Sequence, residues 1–154
     1  MVSEGEKAPA FSLPGAGGKL AKLTDFAGKR LVLYFYPKDD TPGCTLEACG
    51  FRDKSADYSK LGAAVVGISP DSAASHAAFA AKHKLPFTLL ADEGAQTARR
   101  YGAWGRKNFM GREYEGILRT TFVINRNGRV EKVFRDVKPH GHEKEVLAWL
   151  SASK

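Results

Sequence analysis

The sequence predicts an α/β fold: one mixed central sheet with helices on both faces and a β-hairpin extension at the N-terminus. Three observations predict it. Two short apolar runs, "LVLYFY" (31–36) and "AAVVGIS" (63–69), are rich in Val and aromatic residues and bounded by Pro and Gly, as strands buried on both faces are. Between them, small or apolar residues at 44, 48, 51, 55 and 58 recur at helical spacing. Strand, helix and strand in that order form a crossover that leaves the two strands parallel. Late in the chain, "LRTTFVIN" and "GRVEKVFRD" flank an Asn127-Gly128 turn, the signal of an antiparallel hairpin. Both kinds of pairing in one chain make the sheet mixed.

The elements follow in order. "AFSL" and "KLAKLTDF" form a small hairpin around "PGAGG". The strand at 31–36 leads into a helix from Gly43 to Leu61, and then the strand at 63–69. After "SPDS", whose Asp or Ser can cap a helix, a helix is expected over 72–84. "PFTLLAD" reads as a short strand and "GAQTARRYG" as a short helix stopped by Gly102. Residues 103–116 are glycine-rich without periodicity and read as a loop. The hairpin and a C-terminal helix over about 140–152 complete the chain. With no internal repeat and no linker, residues 1–154 are expected to form a single domain.

Composition narrows the function. A chain of 154 residues can bury a core without disulfide staples. Its 43% apolar and 27% charged content excludes disordered and fibrous classes. The longest apolar run, Leu31–Tyr36, falls far short of the ~18 residues of a spanning helix, so no membrane association is expected. "MVSEGEKAPAFSLPG" lacks a basic segment followed by an apolar one, so no secretory signal is expected and the protein is read as cytoplasmic. In that compartment two cysteines serve chemistry more often than structure. The net charge is +7, but its basic residues are spread along the chain with acids interleaved. No nucleic-acid motif accompanies them, so the charge reads as a solvated surface.

The two cysteines, Cys44 and Cys49, fall in "YFYPKDDTPGCTLEACGFRD". This stretch follows the carboxyl end of a strand, where ligand sites gather in open α/β sheets. Thr41 and Pro42 read as the N-cap and first residue of the helix. Cys44 then lies in the first turn, where outward N–H groups and the helix dipole favour a thiolate, the nucleophilic form. On an intact helix, residues five apart are displaced about 7.5 Å along the axis and turned about 140°. Their Cα atoms lie beyond the ~7 Å reach of a disulfide. The pair can bridge only if the first turns unwind. That spacing suits a switch: Cys44 attacks an oxidant such as a peroxide and becomes a sulfenic acid, and Cys49 condenses with it. Thr41 can aim its hydroxyl at the same spot, and Pro37 can shield the sulfur from water.

At these residues the chain resembles the peroxiredoxins. Pro37-x-x-x-Thr41-x-x-Cys44 is similar to their active-site signature, and "FYPKDDTPGCTLEACGFRD" to the subgroup called bacterioferritin comigratory protein or peroxiredoxin Q. "APAFSLPG", "VVGISPDS" and "GILRTTFVIN" extend the resemblance over most of the chain. It implies a thioredoxin-like fold, with Cys44 as the peroxidatic and Cys49 as the resolving cysteine. It implies that Pro37 shields the thiolate, Thr41 hydrogen-bonds the peroxide, Arg119 completes the constellation and Glu47 orients Arg119. It further implies hydrogen peroxide and organic hydroperoxides as substrates and thioredoxin, or else glutaredoxin, as reductant. A monomer with no metal, haem or flavin is expected. A guanidinium at the start of a buried strand is costly without an anion, which a thiolate and Glu47 would supply.

Three rivals are weaker. A zinc site from Cys44, Cys49, His140 and His142 fits no ligand spacing. His76 and His83, seven apart on one helix face, read as ordinary surface residues. A thioredoxin-like disulfide oxidoreductase shares the fold but wants CxxC, whose thiols bridge without unfolding. A basic nucleic-acid-binding protein with incidental cysteines would show salt-dependent DNA retention.

Overall fold

A computed structural model describes residues 2–153, without the side chain of Phe109. A two-stranded hairpin, β1 (Ser12–Pro14) and β2 (Leu20–Lys22), precedes a 3-10 turn at Leu23–Phe26. The central sheet then takes β3 (Arg30–Phe35), β4 (Ala63–Ser69), β5 (Thr88–Ala91), β8 (Thr120–Ile124) and β9 (Val130–Phe134) in the spatial order β5-β4-β3-β8-β9. β3 pairs with β4 and β4 with β5 in parallel, whereas β8 is antiparallel to β3 and to β9. The sheet is mixed, as expected. The helices are α1 (Pro42–Asp53), α2 (Ser55–Lys60), α3 (Ala73–His83), α4 (Gln96–Tyr101) and α5 (His142–Ala152). Among the described residues no helix is long and apolar enough to cross a membrane.

β3 explains the layering. All six of its residues are buried, and the two-residue period sends them alternately to two cores. Leu31, Leu33 and Phe35 face one core, with Tyr101 of α4 and Ala8 and Phe11 of the N-terminal segment. Val32, Tyr34 and Tyr36 face the other, with Phe51 of α1, Tyr58 of α2, Phe79 of α3 and Val146 of α5. The crossovers through α1 and α3 advance in the same direction across the sheet, so their common right hand puts both helices on one face. Tyr34 docks α1 by stacking on Phe51, with ring centroids 4.9 Å apart. Its strand partner is Gly67, where a Cβ would stand 2.8 Å from the Tyr34 ring. A bare backbone there makes room for the tyrosine.

Two expectations need correction. The helix from Gly43 to Leu61 is two helices, broken at Lys54 (φ −108°, ψ 12°), although Cys44, Ala48, Phe51 and Tyr58 of the stripe are all buried. Residues 103–116 are not a loop. They contain β6 (Trp104–Phe109) and β7 (Arg112–Ile117), an antiparallel hairpin closed by Met110 (φ 54°) and Gly111 (φ 77°). Two central residues with positive φ make the mirror-image turn that suits hairpin twist. Methionine rarely adopts that conformation, and the strands are largely exposed, so neither turn chemistry nor alternation marked them.

Candidate active site

The site is assembled where β3 ends and α1 begins. The chain between them, residues 37–41, is clamped to both ends of α3. Tyr36 donates its hydroxyl to Asp39 Oδ1 (2.6 Å) and Ser75 donates to Asp39 Oδ2 (2.8 Å). His76 Nδ1 lies 2.7 Å from the same Oδ2, and its Nε2 lies 3.0 Å from the Leu90 carbonyl. A carbonyl only accepts, so Nε2 carries a proton. Burial pushes the Asp39 carboxyl up, but the bonds from His76, Tyr36 and Ser75 outweigh it and hold its pKa below the ordinary value. The Asp39 N–H and the Ser69 hydroxyl both donate to Asp71 Oδ2, each at 2.7 Å. Asp40, at φ 60°, takes Lys82 Nζ at 2.8 Å and His83 Nε2 at 3.3 Å.

His76 and His83 are therefore not ordinary surface residues. The helix face that they share is turned toward residues 39 and 40, and His76 is completely buried. No signal in the sequence links "KDD" to His76. Asp39, Asp71 and His76 also form the one grouping of potential metal-ligand atoms among the described residues, within 4.8 Å of one another. Their hydrogen bonds to each other and to Tyr36, Ser69 and Ser75 already occupy those atoms.

Thr41 and Pro42 take the N-cap and first helical positions, as expected, but the Thr41 hydroxyl does not cap α1. It donates to the Lys38 carbonyl at 2.9 Å. With its proton engaged there, its oxygen remains free to accept a bond from an incoming O–H. The N–H groups at the start of α1 are then left for a ligand. Pro37 opens the segment as a half-buried ring with no N–H of its own.

Cys44 is buried in the first turn, and its Sγ accepts a bond from Arg119 Nη2 at 3.2 Å. Arg119 Nη1 donates to Glu47 Oε1 at 3.0 Å. The register explains the meeting. Thr120, the first residue of β8, pairs with Phe35, the last of β3, so the antiparallel strand starts beside the N-terminus of α1. Glu47, one turn beyond Cys44, is 2% exposed. Burial pushes its carboxyl up to about 7, although the Arg119 charge and hydrogen bond pull it down; Glu143 on α5 adds a smaller upward push. Among the described residues its Oε2 has no partner.

Gly43 is a functional position that the sequence did not mark. A Cβ there would stand 2.9 Å from Arg119 Nη2, so the guanidinium reaches sulfur by lying against bare backbone. Cys49 is half-buried on the same unbroken helix, and both thiols are free. The five-residue helical separation holds them apart, as the spacing requires. The expected set comes together around Cys44 through Arg119 and Glu47. Thr41 and Pro37 flank it, and Cys49 stands off. His140 and His142 do not join the cysteines: His142 lies between Thr121 Oγ1 (2.8 Å) and Glu145 Oε1 (2.9 Å).

A mixed sheet with a buried, arginine-bound thiol in the first turn of the helix after its central strand defines a thioredoxin-fold thiol protein. The chain belongs to the AhpC/TSA family, which it matches over residues 4–133. It is similar to the Escherichia coli (strain K12) protein Peroxiredoxin Bcp, with 49% identity over 149 residues that cover 97% of this chain and 96% of that one. Peroxiredoxin Bcp of Bacillus subtilis (strain 168) is 48% identical, over 97% of this chain and 95% of the relative. Among solved structures, Xanthomonas campestris Peroxiredoxin Q superposes with a TM-score of 0.88 at 40% identity, covering 93% of this chain and 90% of that one. A cysteine-to-serine mutant of Xylella fastidiosa PrxQ gives 0.93 at 33% identity, over 99% of this chain and 97% of that one.

Two outcomes follow from this geometry. Gly43→Ala should fold with a stability change within about 1 kcal/mol, because only the end of a flexible side chain must move. It should slow alkylation of Cys44 by iodoacetamide at about pH 6 roughly tenfold, the loss of one charge-assisted hydrogen bond. An unchanged rate would mean that the Arg119 contact does not activate the sulfur.

The second outcome concerns Glu47. Its pKa is raised from 4.5 unfolded to about 7 folded, so the native state holds the proton more tightly between those values. Stability should therefore fall as pH rises from about 4.5 to 7, by about 1–3 kcal/mol. Glu47→Gln should flatten that slope in urea denaturation; an unchanged slope would assign it to other groups.

Proposed function

We propose that this chain is a thiol peroxidase that reduces hydrogen peroxide and organic hydroperoxides. The observation that carries the reading is the 3.2 Å contact between Arg119 Nη2 and the buried Cys44 sulfur. A guanidinium there offers a donor where negative charge moves from sulfur to oxygen during attack. The thiolate attacks one peroxide oxygen, so the S–O bond forms as the O–O bond breaks. The other oxygen leaves as water or alcohol after taking a proton. Thr41 accepts the peroxide O–H, Glu47 orients Arg119, and Pro37 shields the sulfur. The Xanthomonas campestris bacterioferritin comigratory protein, which superposes at a TM-score of 0.87 and 39% identity, is described as having alkyl peroxide reduction activity. That likeness supports the reading.

Cys44 is then a sulfenic acid. After the first turns of α1 unwind, the Cys49 thiolate attacks its sulfur, an S–S bond forms as the S–O bond breaks, and the oxygen takes a proton from solvent and leaves as water. An external dithiol reopens the bond; thioredoxin is the proposed donor, with glutaredoxin as the second choice. Both cysteines lie on one helix, so resolution needs no second subunit. A monomer, acting as one domain over residues 1–154 in the cytoplasm, fits that economy. A disulfide oxidoreductase gains no support from two thiols that an intact helix keeps apart.

The test is consumption of stoichiometric hydrogen peroxide by the reduced protein, followed by intact mass. The wild type should consume it rapidly and lose the mass of two protons. Cys44→Ser should be inactive, and Cys49→Ser should react once and then stop as the sulfenic acid or a higher oxide. Full activity in Cys44→Ser would end the assignment.

A further inference from the structure

β3 and β4 run in parallel and end together, Phe35 beside Ile68, and Tyr36 extends the pairing by donating its N–H to the Ile68 carbonyl at 3.1 Å. The two chains therefore leave the sheet from one edge, residues 37–41 toward α1 and residues 70–72 toward α3. Within the second connection, "SPDS" supplies two candidate caps, but Ser72 is the one that caps α3, accepting the Ser75 N–H at 3.1 Å. Asp71 has another task. Its Oδ2 accepts the Ser69 hydroxyl and the Asp39 N–H, each at 2.7 Å, and its own N–H donates to Ser69 Oγ at 3.2 Å. Ser69 is completely buried at the end of β4, so the Asp71 carboxyl has a rigid seat.

The Asp39 N–H belongs to the same peptide unit as the Lys38 carbonyl. That unit is planar and trans, so its N–H and C=O point in opposite directions. With the N–H held by Asp71, the direction of the carbonyl is fixed, and it is this carbonyl to which Thr41 donates at 2.9 Å. A bond from the N–H to a carboxyl group also polarises the peptide and makes its oxygen a better acceptor. Thr41 has a competing option that its type and place favour. A threonine at an N-cap ordinarily accepts the N–H of the second or third helical residue, here Gly43 or Cys44. That cap would occupy the Thr41 oxygen and an N–H beside the sulfur, and the Thr41 side chain does not make it.

We propose that Asp71 is a positioning residue for peroxide binding. Through the Lys38–Asp39 peptide it draws the Thr41 hydroxyl proton to the Lys38 carbonyl and keeps the Thr41 oxygen free to accept the peroxide O–H. The inference rests on the peroxidase reading above and deepens it. Asp71 touches no reacting atom. It acts on Thr41 and not on the contact between Arg119 and Cys44, which β8 and α1 supply. Without Asp71, Thr41 turns back to cap α1, which removes an acceptor for the peroxide and leaves the sulfur as it was. The consequence is selective: reactions of Cys44 that need an O–H accepted slow down, and those that need none do not.

Two reagents separate these effects. Hydrogen peroxide presents an O–H to Thr41, whereas iodoacetamide alkylates Cys44 with none at its reacting carbon. Second-order rate constants for both are measured at one pH, with the alkylated cysteine identified by peptide mass. The reduced proteins compared are the wild type, Asp71→Ala, Asp71→Asn, Ser69→Ala, Thr41→Val and the double variant Thr41→Val/Asp71→Ala. In Asp71→Ala the ratio of the peroxide rate to the alkylation rate should fall about tenfold, the loss of one hydrogen bond to the substrate. Asp71→Asn keeps an acceptor for the Asp39 N–H and should recover most of the ratio. Ser69→Ala deletes one oxygen and loosens the same carboxyl, so its ratio should fall about threefold, which decides the matter if Asp71→Ala does not fold. The double variant should fall no further than Thr41→Val. A ratio unmoved in Ser69→Ala and in any folded Asp71→Ala would overturn the proposal, since a merely structural loss slows both reagents together. A further tenfold fall in the double variant would overturn it too, because Asp71 would then act elsewhere than through Thr41. A wild type that consumes peroxide no faster than a free thiol would instead remove the peroxidase reading, and this inference with it.

Discussion

The hydrogen bond from Arg119 to the Cys44 sulfur is the interaction on which the rest of the site depends. A half-buried guanidinium needs acceptors for its N–H groups, and the Cys44 sulfur and the Glu47 carboxyl supply them. The fold brings them together by register. β8 begins beside the end of β3, and α1 begins just after that end, so a residue before β8 meets the first turn of α1. Gly43 then lets the guanidinium close the last distance. The loop before α1 is fixed from behind by Asp39 and Asp40, which are held by Ser75, His76 and Lys82 of α3. Rigid supports on both sides of a reactive group are what pre-organisation demands.

The same helix carries a conflict. Intact, α1 presents Cys44 to Arg119 and keeps Cys49 out of reach; a Cys44–Cys49 bond requires its early turns to open. Opening them breaks the Arg119 contacts to both Cys44 and Glu47. It also disturbs Gly50, which packs against the Glu143 carboxylate of α5, 2.7 Å from where a Cβ would be. Two carboxylate oxygens there, Glu47 Oε2 and Glu143 Oε2, are buried with no partner among the described residues. Unpaired buried oxygens lower the stability of the closed helix. The helix that must be ordered for attack is thus weakened where it must open for resolution.

Much of this was legible in the sequence. The βαβ unit, the N-terminal hairpin, the β8–β9 hairpin and the mixed sheet follow from periodicity and turn residues. Cys44, Cys49, Thr41 and Pro37 stand in one local stretch whose spacing carries its own geometry. Arg119 and Glu47 entered through the resemblance, because contacts across 72 and 75 residues leave no local pattern. The Asp39–His76 clamp stayed hidden for the same reason, since a histidine on a helix looks alike whether its face meets solvent or a carboxylate. The β6–β7 hairpin was missed because its turn breaks the usual residue preferences and its exposed strands need no apolar face.

On this mechanism α1 has two states, whole around Cys44 and partly unwound with a disulfide. Amide hydrogen exchange across residues 42–53, before and after one equivalent of hydrogen peroxide, tests it most directly, with intact mass confirming the bond. Protected amides are expected in the reduced protein, with loss of protection around Cys44 to Gly50 once the disulfide forms. A disulfide between Cys44 and Cys49 with α1 as protected as before would contradict it.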